Sequence, residues 1–236
     1  MTDFLKRFLE GCFIILTVFL GFFLESVREE NEEIGKKDQL VSDLLLVIED
    51  DIKQIAAVEN KLLGSLKCLN AIQDDTDSNH SLLSDDQALD QILCVNVSTS
   101  FFPKDGVYAE LVSTGSLELI ENRSLKTALQ EFYAHLDARN KVLSRSIDDL
   151  ELARREQFNK WFRVRISYEA NKGAFYGTSK VDSAEFDLEH YMSDGFYGVM
   201  TTVSSFSHSY LRLLDDIKKT ANLISQAAAE EVAQNK

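Results

Sequence analysis

Apolar residues along this chain fall into one unbroken block followed by three periodic seams. The block is Gly11–Leu24 (GCFIILTVFLGFFL), uncharged, fenced by Glu10 and Glu25 and preceded by Lys6-Arg7. From Glu29 to about Asn70 there is no proline. Val41, Leu45, Ile48, Ile52, Ile55, Leu62, Leu66 and Leu69 recur there at alternating spacings of three and four, with Glu59 as the gap. That period predicts one long coiled-coil-like helix continuing out of the apolar block. A second long helix is predicted from a cap at Asn122 or Ser124 to about Ala170. Its seam runs through Leu125, Leu129, Phe132, Leu136, Leu143, Ile147, Leu150, Phe158 and Trp161, interrupted by Arg154. A third is predicted from about Asp194 to Val232, through Phe196, Val199, Val203, Phe206, Tyr210, Leu214, Ile217, Ala221, Ile224 and Ala228.

The connections read differently. Residues 74–86 (DDTDSNHSLLSDD) are polar and acidic and predict an exposed loop. Ala88–Cys94 is a short amphipathic stretch burying Leu89, Ile92 and Leu93. Pro103 pushes Phe102 out of helical geometry, so Phe101 and Phe102 are expected to enter the core as an extended plug. Tyr108, Leu111 and Val112 share one face of a short helix that Gly115 ends as a left-handed cap. Residues 171–185 (NKGAFYGTSKVDSAE) predict a loop. With only 10 Gly and one Pro in 236 residues, the turn chemistry of a strand-rich fold is missing. The expected fold is therefore all-α. It is an N-terminal transmembrane helix continuing into an elongated antiparallel bundle of three long helices with short connecting helices.

The apolar block sets location. At 1.5 Å per residue Gly11–Leu24 covers about 21 Å, short of the roughly 30 Å hydrocarbon core, whereas Phe8–Val27 reaches across it. Glu10 and Glu25 then lie about one turn from the two interfaces, and Lys6 and Arg7 snorkel to headgroups. A cleaved signal peptide fits the length, but the cleavage position near Ser26 puts Leu24 where a small residue is needed. A buried core helix leaves no polar face for solvent. A retained single-pass anchor fits best. Lys6 and Arg7 favour a short cytoplasmic tail at residues 1–7, a span at 8–27 and an extracytoplasmic domain at 28–236, with Lys36 and Lys37 blurring the count. The expected location is a bacterial inner membrane with the bulk of the chain periplasmic. Cys12 falls within the span. Cys68 and Cys94 form an even pair that either bridges in an oxidising compartment or stays as two unrelated buried thiols.

Charge narrows the partners. A net charge of −14 argues against nucleic acid and against lying flat on an anionic membrane face. The expected partners are the lipid bilayer, further copies of the chain, or another membrane protein. His80, His135, His190 and His208 lie in separate segments with no second ligand at metal spacing. No phosphate loop, nucleophile elbow or Cys-x-x-Cys is present. The neighbouring pairs Asp50-Asp51, Asp148-Asp149 and Asp215-Asp216 diverge on a helix and read as solvated faces. Glu59 and Arg154, each a charge at a seam, are candidates to pair. Phe101, Phe102, Phe158, Trp161, Phe162, Phe175 and Tyr176 read as core or plug aromatics, with a pocket as the alternative. No catalytic residue, metal or cofactor is expected.

Two stretches carry a resemblance. One is Glu10-x6-Thr17-Val18-Phe19-Leu20-Gly21 … Arg28-Glu29-Glu30, leading to Leu44-Leu45 … Glu49-Asp50-Asp51-Ile52. The other is Tyr108-x2-Leu111-x3-Gly115-x-Leu117-x-Leu119-Ile120-x-Asn122-x2-Leu125-x3-Leu129-x2-Phe132-Tyr133. Together they resemble a family of uncharacterised bacterial single-pass membrane proteins, in which a span beginning with glutamate leads into an extracytoplasmic helical domain. The resemblance covers about the first two-thirds of the chain. Many members carry a Trp shortly after the span, where Val27 stands here. It implies an anchor and a helical class and supplies no catalytic residues. The function expected is that of a membrane-anchored helical scaffold or interaction protein, oligomeric and without catalytic activity of its own. The alternative is an extracytoplasmic sensor or ligand-binding bundle acting through a membrane partner.

Overall fold

In the computed structural model, residues 2–95, 99–169 and 178–234 are described, with side chains left out at some helix and strand positions, including 2–7, 9–12 and 14. The leading element is helix α1, Thr2–Asp77, which carries the apolar block and the first seam without a break. Then come α2 (Asp85–Cys94), α3 (Gly106–Ser113) and α4 (Arg123–Gln130). A π-helical segment, Glu131–Leu136, leads directly into α5 (Asp137–Trp161). Strands β1 (Arg163–Glu169) and β2 (Thr178–Glu185) form an antiparallel hairpin, followed by the short α6 (Leu188–Tyr191) and α7 (Asp194–Gln234). The class is all-α, as the seams predict.

The chain forms two compact units. Unit 1 comprises Met1–Asp50, Lys104–Gln130 and Asn222–Lys236, and unit 2 comprises Asp51–Pro103 and Glu131–Ala221. In unit 1, Leu40, Val41, Leu44 and Ile48 from α1 are buried, as are Leu111, Ile120, Leu125 and Leu129, and Ile224, Ala227 and Ala228 from α7. Gly115 closes this region. Its φ of +76° is a left-handed value that glycine adopts without a Cβ penalty, as the sequence predicts. The Leu117 N–H then donates to the Leu111 carbonyl at 3.0 Å. Asn122, one of the two cap candidates, caps α4 by accepting from the N–H groups of Ser124 and Leu125.

In unit 2 the buried seam of α1 is Ile55, Val58, Leu62, Leu66, Leu69 and Ile72. Val203, Tyr210, Leu213, Leu214 and Ile217 of α7 are buried in the same unit, as are Phe132, Leu136 and Ile147 of the second helical stretch. The plug is half realised. Phe101 is buried, while Phe102 is 69% exposed. The Phe101 N–H donates to the Tyr210 hydroxyl at 2.8 Å, and the Phe101 carbonyl accepts from Asn140 Nδ2 at 2.9 Å. Tyr210 donates in turn to Asn140 Oδ1 at 3.0 Å, so a loop peptide is satisfied on both edges inside the core.

Several expectations need correction. The second long helix stops at Trp161, and the chain re-forms as β1, whose sequence RVRISYE alternates polar and apolar residues with period two. Within the expected loop at 171–185, residues 178–185 are strand β2, while 171–177, with Phe175 and Tyr176, lie outside the described residues. The acidic stretch at 74–86 is only partly loop. Residues 74–77 complete α1, and Ser84 opens α2 with a reciprocal capping box to Gln87. Asp51 and Val58 point inward where Ile52 and Glu59 were expected. Asp51 is therefore not part of a solvated face. Among the described residues no helix is long and apolar enough to cross a membrane, and the expected span at 8–27 includes side chains outside that set.

Candidate functional site

At the N-terminus, the described side chains of the apolar block lie in the open on α1. Phe13, Ile15, Leu16, Val18, Phe19, Leu20, Phe22, Phe23 and Leu24 are 52–75% exposed, on every face of the helix. Glu25 pairs with Arg28 at 2.6 Å and Arg28 with Glu32 at 2.7 Å, both along the exposed helix surface. The side chains of Lys6, Arg7, Glu10 and Cys12 lie outside the described residues.

Unit 1 holds a buried ion pair. Lys37 Nζ meets Glu231 Oε1 at 2.9 Å, with side chains 2% and 1% exposed, and it also reaches Asp38 at 2.8 Å. Glu231 further accepts the N–H groups of Glu121 (3.0 Å) and Asn122 (2.8 Å). Burial pushes the Glu231 carboxyl up, but the bonds from Lys37 and the two N–H groups outweigh it and hold it below the usual range. For Lys37, burial lowers the ammonium, and its two carboxylate partners more than reverse that. One carboxylate thus ties α1, the entry to α4 and the end of α7 together.

Unit 2 holds two polar assemblies. The first centres on Asp75, whose side chain is fully buried. Oδ1 accepts from the N–H groups of Leu82 (2.8 Å) and Leu83 (2.9 Å). Oδ2 meets His80 Nδ1 at 2.6 Å and takes the Tyr191 hydroxyl at 2.9 Å. The other ring nitrogen of His80, Nε2, meets Asp85 Oδ1 at 2.9 Å. A histidine with a carboxylate on each nitrogen is bonded best as imidazolium, since both nitrogens then donate. Asp75 and then Asp85 raise the His80 pKa, against a smaller opposing effect of burial. Burial pushes the Asp75 carboxyl up, yet its four donors hold it low, and burial followed by Asp75 raises Tyr191. Asn79 and His80 both adopt left-handed φ values, 52° and 53°, which this clasp maintains. His80 also stacks on Phe186 and packs edge-on to Tyr191.

The second assembly is a cleft of about 500 Å³ beside that aromatic cluster. Ile92, Phe158, Phe196, Val199 and Met200 supply its apolar lining, and Arg154, Asp187, Glu189, His190 and Ser193 its polar groups. Arg154 does not pair with Glu59. It forms a two-pronged bond to buried Glu151 at 2.8 Å, while Glu59 pairs with Lys218 at 2.7 Å. Glu151 also accepts from Arg155, and although burial pushes it up, the two guanidiniums hold it below its usual range. Burial lowers the His190 imidazole, with Asp187 opposing. Of the expected aromatics, Phe158 and Phe162 join this region, with Phe162 packing on Phe186, His190 and Phe196. The Trp161 side chain lies outside the described residues.

Cys68 and Cys94 are joined by a disulfide, with Cα atoms 6.1 Å apart, linking α1 to the end of α2. His135 and His208 are exposed, and among the described residues no cluster of metal-ligating side chains occurs. The Lys37–Glu231 pair joins residues far apart in the chain, and the clasp, although Asp75, His80 and Asp85 are spaced five residues apart, matches no catalytic or metal-binding pattern. Their signal lies in the seams, whose period carries Val41 back to Lys37, Ile72 on to Asp75 and Thr76, and Ala228 on to Glu231. No protein-family model, no curated protein and no solved structure matches this chain.

Proposed function

We propose that this protein is a membrane-anchored helical scaffold or interaction protein. Residues 1–7 form a cytoplasmic tail, 8–27 span a bacterial inner membrane, and the remainder works in the periplasm. It assembles with further copies or with another membrane protein and performs no catalysis of its own. The observation that carries this reading is the aromatic-rich apolar surface from Phe13 to Leu24, exposed around the whole helix and continuous with the seam of α1. Such a contiguous apolar surface on an otherwise acidic chain marks contact with lipid or protein. The Cys68–Cys94 disulfide agrees with an oxidising compartment, and the resemblance of the Glu10–Gly21 and Tyr108–Tyr133 stretches agrees with an anchor.

A reporter fused at Lys236 that is active only outside the cytoplasm tests the topology, and the mass of the detergent-solubilised protein tests assembly. A full-length fusion whose reporter stays inactive, or a strict monomer that co-purifies with nothing, refutes the reading. The cleft favours a second reading, an extracytoplasmic sensor or ligand-binding bundle that acts through a membrane partner.

A further inference from the structure

The cleft of unit 2 brings charges of both signs to walls that are otherwise apolar. Arg154 stands on the α5 side. It spends one Nε hydrogen and one Nη2 hydrogen on Glu151, and among the described residues its other N–H groups make no hydrogen bond. A guanidinium carries five such hydrogens, so most of its donor edge is unused on a side chain only 12% exposed. Glu151 is shared with Arg155, so two cations face one carboxylate at this corner. Asp187 and Glu189 come from the α6 side with His190, which burial keeps toward the neutral form. Phe158, Phe196, Val199 and Met200 supply the hydrocarbon lining.

A purely anionic ligand would meet Asp187 and Glu189, and a purely cationic one would meet Arg154. A molecule with one charge of each sign and an apolar body satisfies all three parts of the lining. We infer that the cleft binds a free amino acid with an apolar side chain. The carboxylate lies on the unused edge of Arg154, the ammonium faces Asp187 and Glu189, and the side chain covers Phe196 and Met200. A volume of about 500 Å³ lies within the range of small-molecule sites. This inference rests on the second reading above and names its ligand class.

The test uses the full chain in lipid nanodiscs and equilibrium dialysis with three probes that share one phenylethyl body. They are L-phenylalanine, 3-phenylpropionate (no amine) and 2-phenylethylamine (no carboxylate). Phenylalanine should be retained saturably and about tenfold more tightly than either analogue, the scale of one charged hydrogen-bonded group. Arg154→Gln, which leaves Glu151 with Arg155, should bring phenylalanine down to the level of phenylethylamine and leave that amine unchanged. Asp187→Asn with Glu189→Gln should bring it down to the level of phenylpropionate. If an analogue binds as well as phenylalanine, or Arg154→Gln leaves the preference intact, the amino-acid assignment is wrong while the cleft still binds. If no probe is retained, the ligand-binding reading falls with it.

Discussion

Glu231→Ala removes the carboxylate that joins three segments of unit 1. The variant strands Lys37 at 2% exposure with only Asp38, at 2.8 Å, as its remaining carboxylate partner in this cluster. It also takes the acceptor from the N–H groups of Glu121 and Asn122. Leaving one member of a buried pair uncompensated costs about 3–5 kcal/mol, and Asp38 should keep the loss toward the lower end of that range. Lys37→Met in the same background removes the stranded cation. The double variant should therefore be more stable than the sum of the single losses by at least about 1 kcal/mol. Urea denaturation followed by far-UV circular dichroism, in one lipid or detergent system throughout, supplies all four corners of the cycle. The acid limb gives an independent check. Glu231 is held below its ordinary value of 4.5, so its contribution is present above that value and is lost as the pH falls through the folded value. A Glu231→Ala loss under about 1 kcal/mol, or strict additivity with Lys37→Met, would refute this account.

The His80 clasp should respond to base. Its pKa is raised above 6.5, so its stabilisation is complete below that value and declines as the pH rises through the folded pKa. Hydrogen exchange at the Leu82 and Leu83 amides should accelerate beyond its intrinsic pH dependence over that window, and His80→Gln should abolish the excess. Gly115→Ala should cost about 1 kcal/mol by thermal denaturation. The added Cβ meets nothing within 4 Å, so the loss comes from the +76° φ alone, and a neutral result would contradict that backbone geometry. Tyr210→Phe leaves the buried Phe101 N–H without its acceptor and should destabilise unit 2 by about 1–3 kcal/mol. A denaturation midpoint unchanged from the parent protein would show that the loop peptide finds another partner.

The helical class was legible because burial leaves a period. Val41, Ile48, Ile55, Leu62, Leu66 and Leu69 are buried as the spacing predicts, and so is most of the α7 seam from Phe196 to Ala228. The cap at Asn122 and the left-handed turn at Gly115 were legible because few residues serve those conformations. The hairpin was missed because Phe158 and Trp161 prolong a helical period up to β1, and the glycines at 173 and 177 read equally as loop. Within α5 the polar residues Asn140, Ser144 and Glu151 face inward while Leu143 and Leu150 are only half buried. A reading keyed to apolar side chains places that seam one residue off. The same bias hid Asp75, Lys37 and Glu231, polar side chains whose burial is tolerated only because each is bonded to partners.

The bond between Cys68 and Cys94 closes residues 68–94 into a covalent ring that contains the whole 78–84 turn. A single cut in that turn therefore does not release a fragment. The two pieces remain one molecule on a non-reducing gel and separate only once a thiol is added. The exposed tip can be nicked while α2 stays fastened to α1, so damage at the turn and loss of α2 are separate events, and only a reducing environment couples them.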